Sequence, residues 1–204
     1  MPADPLHALA NVVAPMLSGG RVIVGIAGAP GAGKSTLAAG LVGCFRQRAV
    51  VVPMDGFHLS NEELARLGMA GRKGSPETFD AWGFVHLMRR LRAAEELVYV
   101  PAFDRRIEVS IGSAIPVPPA LELVVVEGNY LLLPDQPWSL ARPLFDLVAY
   151  LDVPAEVRVP RLLARARAGG RDEAGAYDWV HRNDEANARL VSASAGRADL
   201  VLPA

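Results

Sequence analysis

One cysteine, Cys44, stands in 204 residues. The chain can therefore form no internal disulfide, which suits a reducing cytoplasm. Net charge is nearly absent: 21 Lys and Arg against 22 Asp and Glu leave a formal −1. Such a balance gives no field to draw in nucleic acid, an anionic membrane or an acidic polymer, so any bound phosphate must be held by local groups. No apolar run approaches the roughly 18 residues needed to span a bilayer. The N-terminal MPADPLHALANVVAPMLSGG lacks the basic start, apolar centre and cleavage site of a secretory leader. There is no internal repeat and no low-complexity tract. The expectation is one domain over 1–204, cytoplasmic, a monomer or homodimer with neither nucleic acid nor membrane as partner.

What the chain does have is alternation. Short, unalternating apolar runs at 21–27 (RVIVGIA), 50–53 (VVVP), 121–128 (LELVVVEG), 145–153 (FDLVAYLDV) and 198–203 (ADLVLP) read as strands buried on both faces. Helix-like stretches lie at 5–18, 33–47, 81–96, 155–168 and 173–192, with Pro160 expected to kink or restart the fourth. Residues 54–80 read as a long loop with one helical piece, NEELARL, and a loop that long points to function. Residues 97–118 hold extended pieces broken by Pro101, Pro116 and Pro118. The pattern is an α/β fold, a parallel sheet covered on both faces in a three-layer α/β/α arrangement.

The strongest signal is Gly28-Ala29-Pro30-Gly31-Ala32-Gly33-Lys34-Ser35, a complete G-x-x-x-x-G-K-[ST] between a buried strand and an amphipathic helix. Its glycines let backbone N–H groups converge on phosphate oxygens, and the helix opening at Gly33 adds its positive end. Lys34 is expected to reach the β- and γ-phosphates of ATP, and the Ser35 hydroxyl to ligate Mg²⁺. Thr36 fits either an α-phosphate contact or a helix-surface hydroxyl. The acidic residue of such a site ends a buried strand. Glu127 does so after Leu123-Val124-Val125-Val126; Asp152 competes, although Pro154 makes it resemble a helix N-cap.

No N-K-x-D-like guanine-specific segment follows a late strand. Instead Met54-Asp55-Gly56-Phe57-His58 follows the second strand, at the sheet edge where ligands of open α/β folds bind. Asp55 there fits a base for an acceptor hydroxyl, or a turn residue in Asp-Gly. His58 fits an acceptor contact or a bystander.

MDGFH, RKGSPETFD (72–80), PAFDR (101–105) and VVVEGNYLLL (124–133) resemble the pantothenate kinase, uridine kinase and phosphoribulokinase superfamily over roughly residues 20–203. The nearest subgroup is a set of bacterial kinase-like proteins associated with fructose transport. The resemblance implies a P-loop NTPase fold with a five-stranded parallel sheet in the order 2-3-1-4-5, a mobile helical lid, and ATP as phosphoryl donor. It implies Asp55 as the base and Glu127 as the central-strand acid, and it assigns Arg72, Lys73, Asp104, Arg105 and Asn129 to the acceptor side.

RLLARARAGGR offers Arg161, Arg165, Arg167 and Arg171 beside Gly169-Gly170, a hinge or a helix end, and reads as a lid over about 161–172. Arg165 is the arginine expected to meet transferred phosphate. Asn183 and Asn187 share a helix face that meets either ligand or solvent. Two functions remain open from these residues. One is an ATP-dependent kinase for a sugar, nucleoside or pantothenate-like alcohol. The other is a nucleotide-binding accessory or regulatory protein with slow ATP hydrolysis.

Overall fold

The computed structural model describes residues 4–204. The chain opens with helix α1 (Pro5–Val13), capped by the Asp4 carboxylate on the Leu6 N–H, and a 3₁₀ turn. Strand β1 (Val22–Ala27) leads through the glycine-rich loop into α2 (Lys34–Phe45). Strand β2 (Ala49–Pro53) ends in the Met54–Phe57 turn, followed by the short α3 (Asn61–Arg66) and α4 (Ala81–Ala93). Strands β3 (Val98–Asp104) and β4 (Val109–Val117) come next, then β5 (Leu123–Gly128) and β6 (Leu147–Asp152). Helices α5 (Ala155–Ala168), α6 (Glu173–Trp179) and α7 (Glu185–Ala193), with a π-turn at Val180–Asp184 between the last two, precede β7 (Leu200–Pro203).

Five parallel strands form the main sheet in the order β2-β5-β1-β6-β7. The expected 2-3-1-4-5 has to be restated in this numbering. Residues 97–118 are a true antiparallel hairpin, β3–β4, forming a second sheet of its own that stands in the chain between β2 and β5. The prolines are accommodated rather than excluded: Pro101 falls at the register shift between Val100 and Ala102.

Side chains of the central strands alternate between two cores. Ile23, Val124 and Val126 face the core built with Phe84, Met88 and Trp138; Val24, Ile26 and Val125 face the core built with Leu9, Leu37 and Leu41. Helices α1 and α2 thus cover one face and α4 the other, which makes three layers. Helix α5 runs through Pro160 without restarting. Asp152 does not cap it; Pro154 occupies the N-cap position and makes no side-chain capping bond.

The register places the site. Pro53 pairs with Glu127, and Ala27 with Gly128. The glycine-rich loop, the Met54–Phe57 turn and the end of β5 therefore emerge side by side at the carboxyl edge of the sheet. The turn fits there only because residue 56 is glycine: a Cβ would lie 2.3 Å from the Pro101 carbonyl oxygen on β3.

Candidate functional site

Helix α2 has no side-chain cap, so its first N–H groups point unpaired out of the helix start toward the glycine-rich loop. That loop is held from behind by α5. Arg158, buried, donates from Nε to the Val153 carbonyl (3.0 Å) and from Nη1 to the Pro30 carbonyl (3.1 Å) and Glu185 Oε1 (3.0 Å). Arg161 Nη1 donates to the Gly31 carbonyl at 3.3 Å. Gly31 has φ +78°, and a Cβ on it would lie 2.9 Å from the Arg158 carbonyl oxygen. A peptide is planar and trans, so pinning the Pro30 C=O against Arg158 turns the Gly31 N–H the opposite way, into the cradle.

Lys34 is buried and donates to the Ala29 carbonyl (3.1 Å) and to Asn129 Oδ1 (2.6 Å). Burial pushes its pKa down to about 8, against the pull of the Glu127 and Asp55 carboxylates. The Ser35 hydroxyl donates to Glu127 Oε1 at 2.9 Å. Burial, with Asp55 nearby, raises the Glu127 carboxyl above its ordinary range. For Asp55, burial acts in the same direction but is outweighed by Arg105, His58 and Lys34, which hold it below the ordinary range. Arg105 Nη2 lies 2.5 Å from Asp55 Oδ2. A cavity of about 190 Å³ opens here, lined among others by Ser35, Pro53, Asp55, Phe103, Arg105 and Glu127.

The structure thus gathers Lys34, Ser35, Asp55, Arg105, Glu127 and Asn129, and it puts Glu127 rather than the exposed Asp152 on Ser35. The other expected residues lie apart from this cavity. His58 donates from Nδ1 to the Asp55 main-chain carbonyl (2.7 Å), with ring centroids of Phe79 and Phe103 at 4.0 and 4.7 Å, so it buttresses the Asp55 turn. Asp104 pairs with Arg106 at 2.7 Å, which lowers its carboxyl to about 2. Arg72 pairs with Glu77. Lys73 donates to Asn61 Oδ1 and the Glu108 carbonyl, tying the 72–78 segment to the hairpin tip. Thr36 is exposed in the first turn of α2.

Arg165, exposed on α5, lies 3.6 Å from Asp184 Oδ1, near enough for its charge to act on both Lys34 and Asp55. Gly169-Gly170 is a helix end: the Arg171 N–H returns to the Ala166 carbonyl, and Gly170 has φ +92°. Asn183 and Asn187 are buried, and Asn183 Nδ2 donates to the Lys73 carbonyl.

Arg158 is the residue that the sequence reading passed over. A signal for it existed: a cation in the first turns of a helix opposes the helix dipole, and Arg158 precedes the buried Leu162 by four residues, on the same stripe.

The family model described as phosphoribulokinase / uridine kinase matches residues 23–204. The chain belongs to that family. It is an ATP-dependent kinase of a small metabolite, and its fold is the P-loop kinase fold. A Schizosaccharomyces pombe protein named "putative uridine kinase" is 38% identical over 196 residues, 89% of this chain and 83% of that protein. A crystal structure from Silicibacter sp. TM1040, described as a "putative fructose transport system kinase", superposes with TM-score 0.84 at 40% identity, covering 97% of this chain and 98% of the other. The pantothenate kinase of Levilactobacillus brevis is 30% identical over 136 residues, 64% of this chain but only 44% of its own length. No helix among the described residues is long and apolar enough to cross a membrane.

The residues of the kinase fit its nucleotide. Lys34 is a buried ammonium with only neutral oxygens as hydrogen-bond partners, beside an uncapped helix start. A divalent cation fits as well. Although no cluster of three His, Cys, Asp or Glu side chains exists among the described residues, Mg²⁺ at a nucleotide keeps several waters and needs only one or two protein oxygens beside the phosphates. Ser35 and Glu127 are the two that could supply them.

Proposed function

We propose that the kinase transfers the γ-phosphoryl group of Mg-ATP to an alcohol hydroxyl held beside Asp55. The observation that carries this reading is one cavity sharing the Asp55 carboxylate with the Ser35–Glu127 pair, at the mouth of the phosphate loop. The loop amides and Lys34 hold the β- and γ-phosphates. Ser35 and Glu127 hold Mg²⁺, Glu127 directly or through water, and the bound ion supplies positive charge to the phosphate oxygens.

In the transfer the acceptor oxygen forms a bond to Pγ while the bond from Pγ to the bridging oxygen breaks, and its electron pair leaves with ADP. The acceptor proton passes to the Asp55 carboxylate, which the surrounding cations keep ionised and ready. Charge spread over the γ-oxygens is met by Lys34 and by Arg165, released from Asp184 as the segment beyond Leu162 closes. A cytoplasmic setting supplies the ATP.

Coupled ADP release across sugars, nucleosides, pantothenate and vitamin-like alcohols identifies working acceptors. Asp55→Asn then tests the base: acceptor phosphorylation should fall about 10²–10⁴-fold while Mg-ATP affinity holds. Lost Mg-ATP affinity, partly restored by raised Mg²⁺, would make Asp55 an indirect metal contact instead. Full affinity with full turnover would remove it from the mechanism.

A further inference from the structure

The cavity holds two carboxylates, Asp55 and Glu127, and one guanidinium at its mouth, Arg105. Arg105 reaches Asp55 through Nη2 alone, so the remaining donors of its planar fork are free of Asp55. A guanidinium is shaped to take a carboxylate with two parallel bonds.

Consider an uncharged hydroxyl approaching Asp55. It can take the Asp55 oxygen that Arg105 leaves free, but it offers no charge to the remaining Arg105 donors beside the pocket. An acceptor that brings its own anionic group avoids this: its carboxylate takes Arg105 as its hydroxyl takes Asp55. The Arg105–Asp55 pair is then kept, with the acceptor's two groups on the free donors and the free oxygen beside it. The 2.5 Å contact between Arg105 and Asp55 also limits the acceptor's shape. Groups that bind two side chains in contact must sit one or two carbons apart.

The walls point the same way. Phe103, the aromatic residue of the lining, already packs on His58 at 4.7 Å between centroids and carries the Lys73 ammonium 5.0 Å from its own. It is poorly placed to stack on a nucleobase.

Resting on the kinase reading above, we infer that the acceptor is a small hydroxy acid, its carboxylate on Arg105 and its hydroxyl, one or two carbons away, on Asp55. Arg105 is then the residue that sets acceptor specificity.

The test uses the full chain at saturating Mg-ATP. ADP release is followed with glycerate and other three- to six-carbon hydroxy acids, with glycerol and uridine as uncharged acceptors, with glycerol phosphate, and with pantothenate, whose carboxylate lies far from its primary hydroxyl. Thermal stabilisation by each compound is measured in the presence of a non-hydrolysable ATP analogue. At least one short hydroxy acid should be turned over and should stabilise the protein. Arg105→Gln should raise its KM about tenfold to a hundredfold, the loss of a charge-assisted pair, with ATP affinity unchanged. Arg106→Gln, which breaks only the pair with Asp104, should leave that KM alone.

Preference for glycerol, uridine or pantothenate would overturn the proposal, as would an acid KM indifferent to Arg105. Preference for glycerol phosphate would replace the carboxylate by a phosphate monoester and overturn the acid class. Failure of every acid to give ADP or stabilisation, with the analogue still bound, would overturn the acid class and leave the kinase site standing. Loss of analogue binding itself would overturn both.

Discussion

Removing the Arg158 guanidinium should cost stability and nucleotide affinity by separable routes. Arg158→Met keeps most of the side chain's apolar length but strands three acceptors: the Val153 and Pro30 carbonyls and the Glu185 carboxylate, itself only 18% exposed. Breaking a buried ion pair by deleting one partner costs about 3–5 kcal/mol. For a chain of this size each kcal/mol lowers Tm by about 2–4 °C, so a fall of roughly 6–20 °C is expected. Arg158→Met with Glu185→Met removes both charges, and much of that loss should return, because the uncompensated carboxylate is gone. ATP binding should not return with it. The Pro30 carbonyl still lacks its anchor in the double variant, so the Gly31 N–H is no longer pre-aimed at phosphate. Losing one such charge-assisted bond weakens ATP about tenfold to a hundredfold. Differential scanning calorimetry gives the first quantity and isothermal titration with an ATP analogue the second. An unchanged Tm in the single variant would refute the buried pair, and ATP affinity recovering together with stability would refute the tether.

Lys34→Ala should remove a contact to the β- and γ-phosphates worth about 1.5–3 kcal/mol and collapse turnover, while circular dichroism shows the fold intact; unchanged ADP formation would sink the phosphate-cradle assignment. Hydrogen exchange should be fast at residues 163–172 in the free protein and slow there when an ATP analogue and acceptor bind together, with residues 155–162 protected in both states; equal protection of 163–172 in both would make it a fixed surface helix.

The strands and the phosphate loop were legible because each is specified locally. β1, β5 and β6 are apolar at nearly every position and buried at nearly every position, which is what a strand covered on both faces must be. The β3–β4 hairpin was not legible as a hairpin. Proline normally marks a break, and only the register shift at Val100/Ala102 shows where Pro101 is tolerated. The acceptor side was legible in residue type but not in partnership. Arg105 meets Asp55 across 50 positions of sequence, whereas Arg72 and Asp104 are taken by neighbours at Glu77 and Arg106. Which arginine is free for a ligand depends on which carboxylate the fold brings to it, and a basic cluster in a sequence does not record that.

Asp184, the last residue of the π-turn, and Glu185, the first of α7, hold two different parts of α5. Glu185 takes Arg158, whose side chain is 7% exposed, and Asp184 takes Arg165, whose side chain is 48% exposed and stands farther off at 3.6 Å. A buried pair is costly to break because neither charge regains water easily; in the longer pair only Arg165 regains it, because the Asp184 side chain is 11% exposed. Two adjacent acids therefore hold positions about two turns apart on α5, Glu185 through a short pair buried on both sides and Asp184 through a longer pair exposed on its arginine side. Arg158 and Leu162 keep the stem of the helix on the phosphate loop, where Gly31 leaves no room for them to shift. In the proposed closure Arg165, one turn beyond Leu162, would regain water on leaving Asp184, whose carboxyl burial already pushes toward its neutral form. A closure of the proposed kind would then begin past Leu162 and leave undisturbed the cradle that must already be formed when ATP arrives.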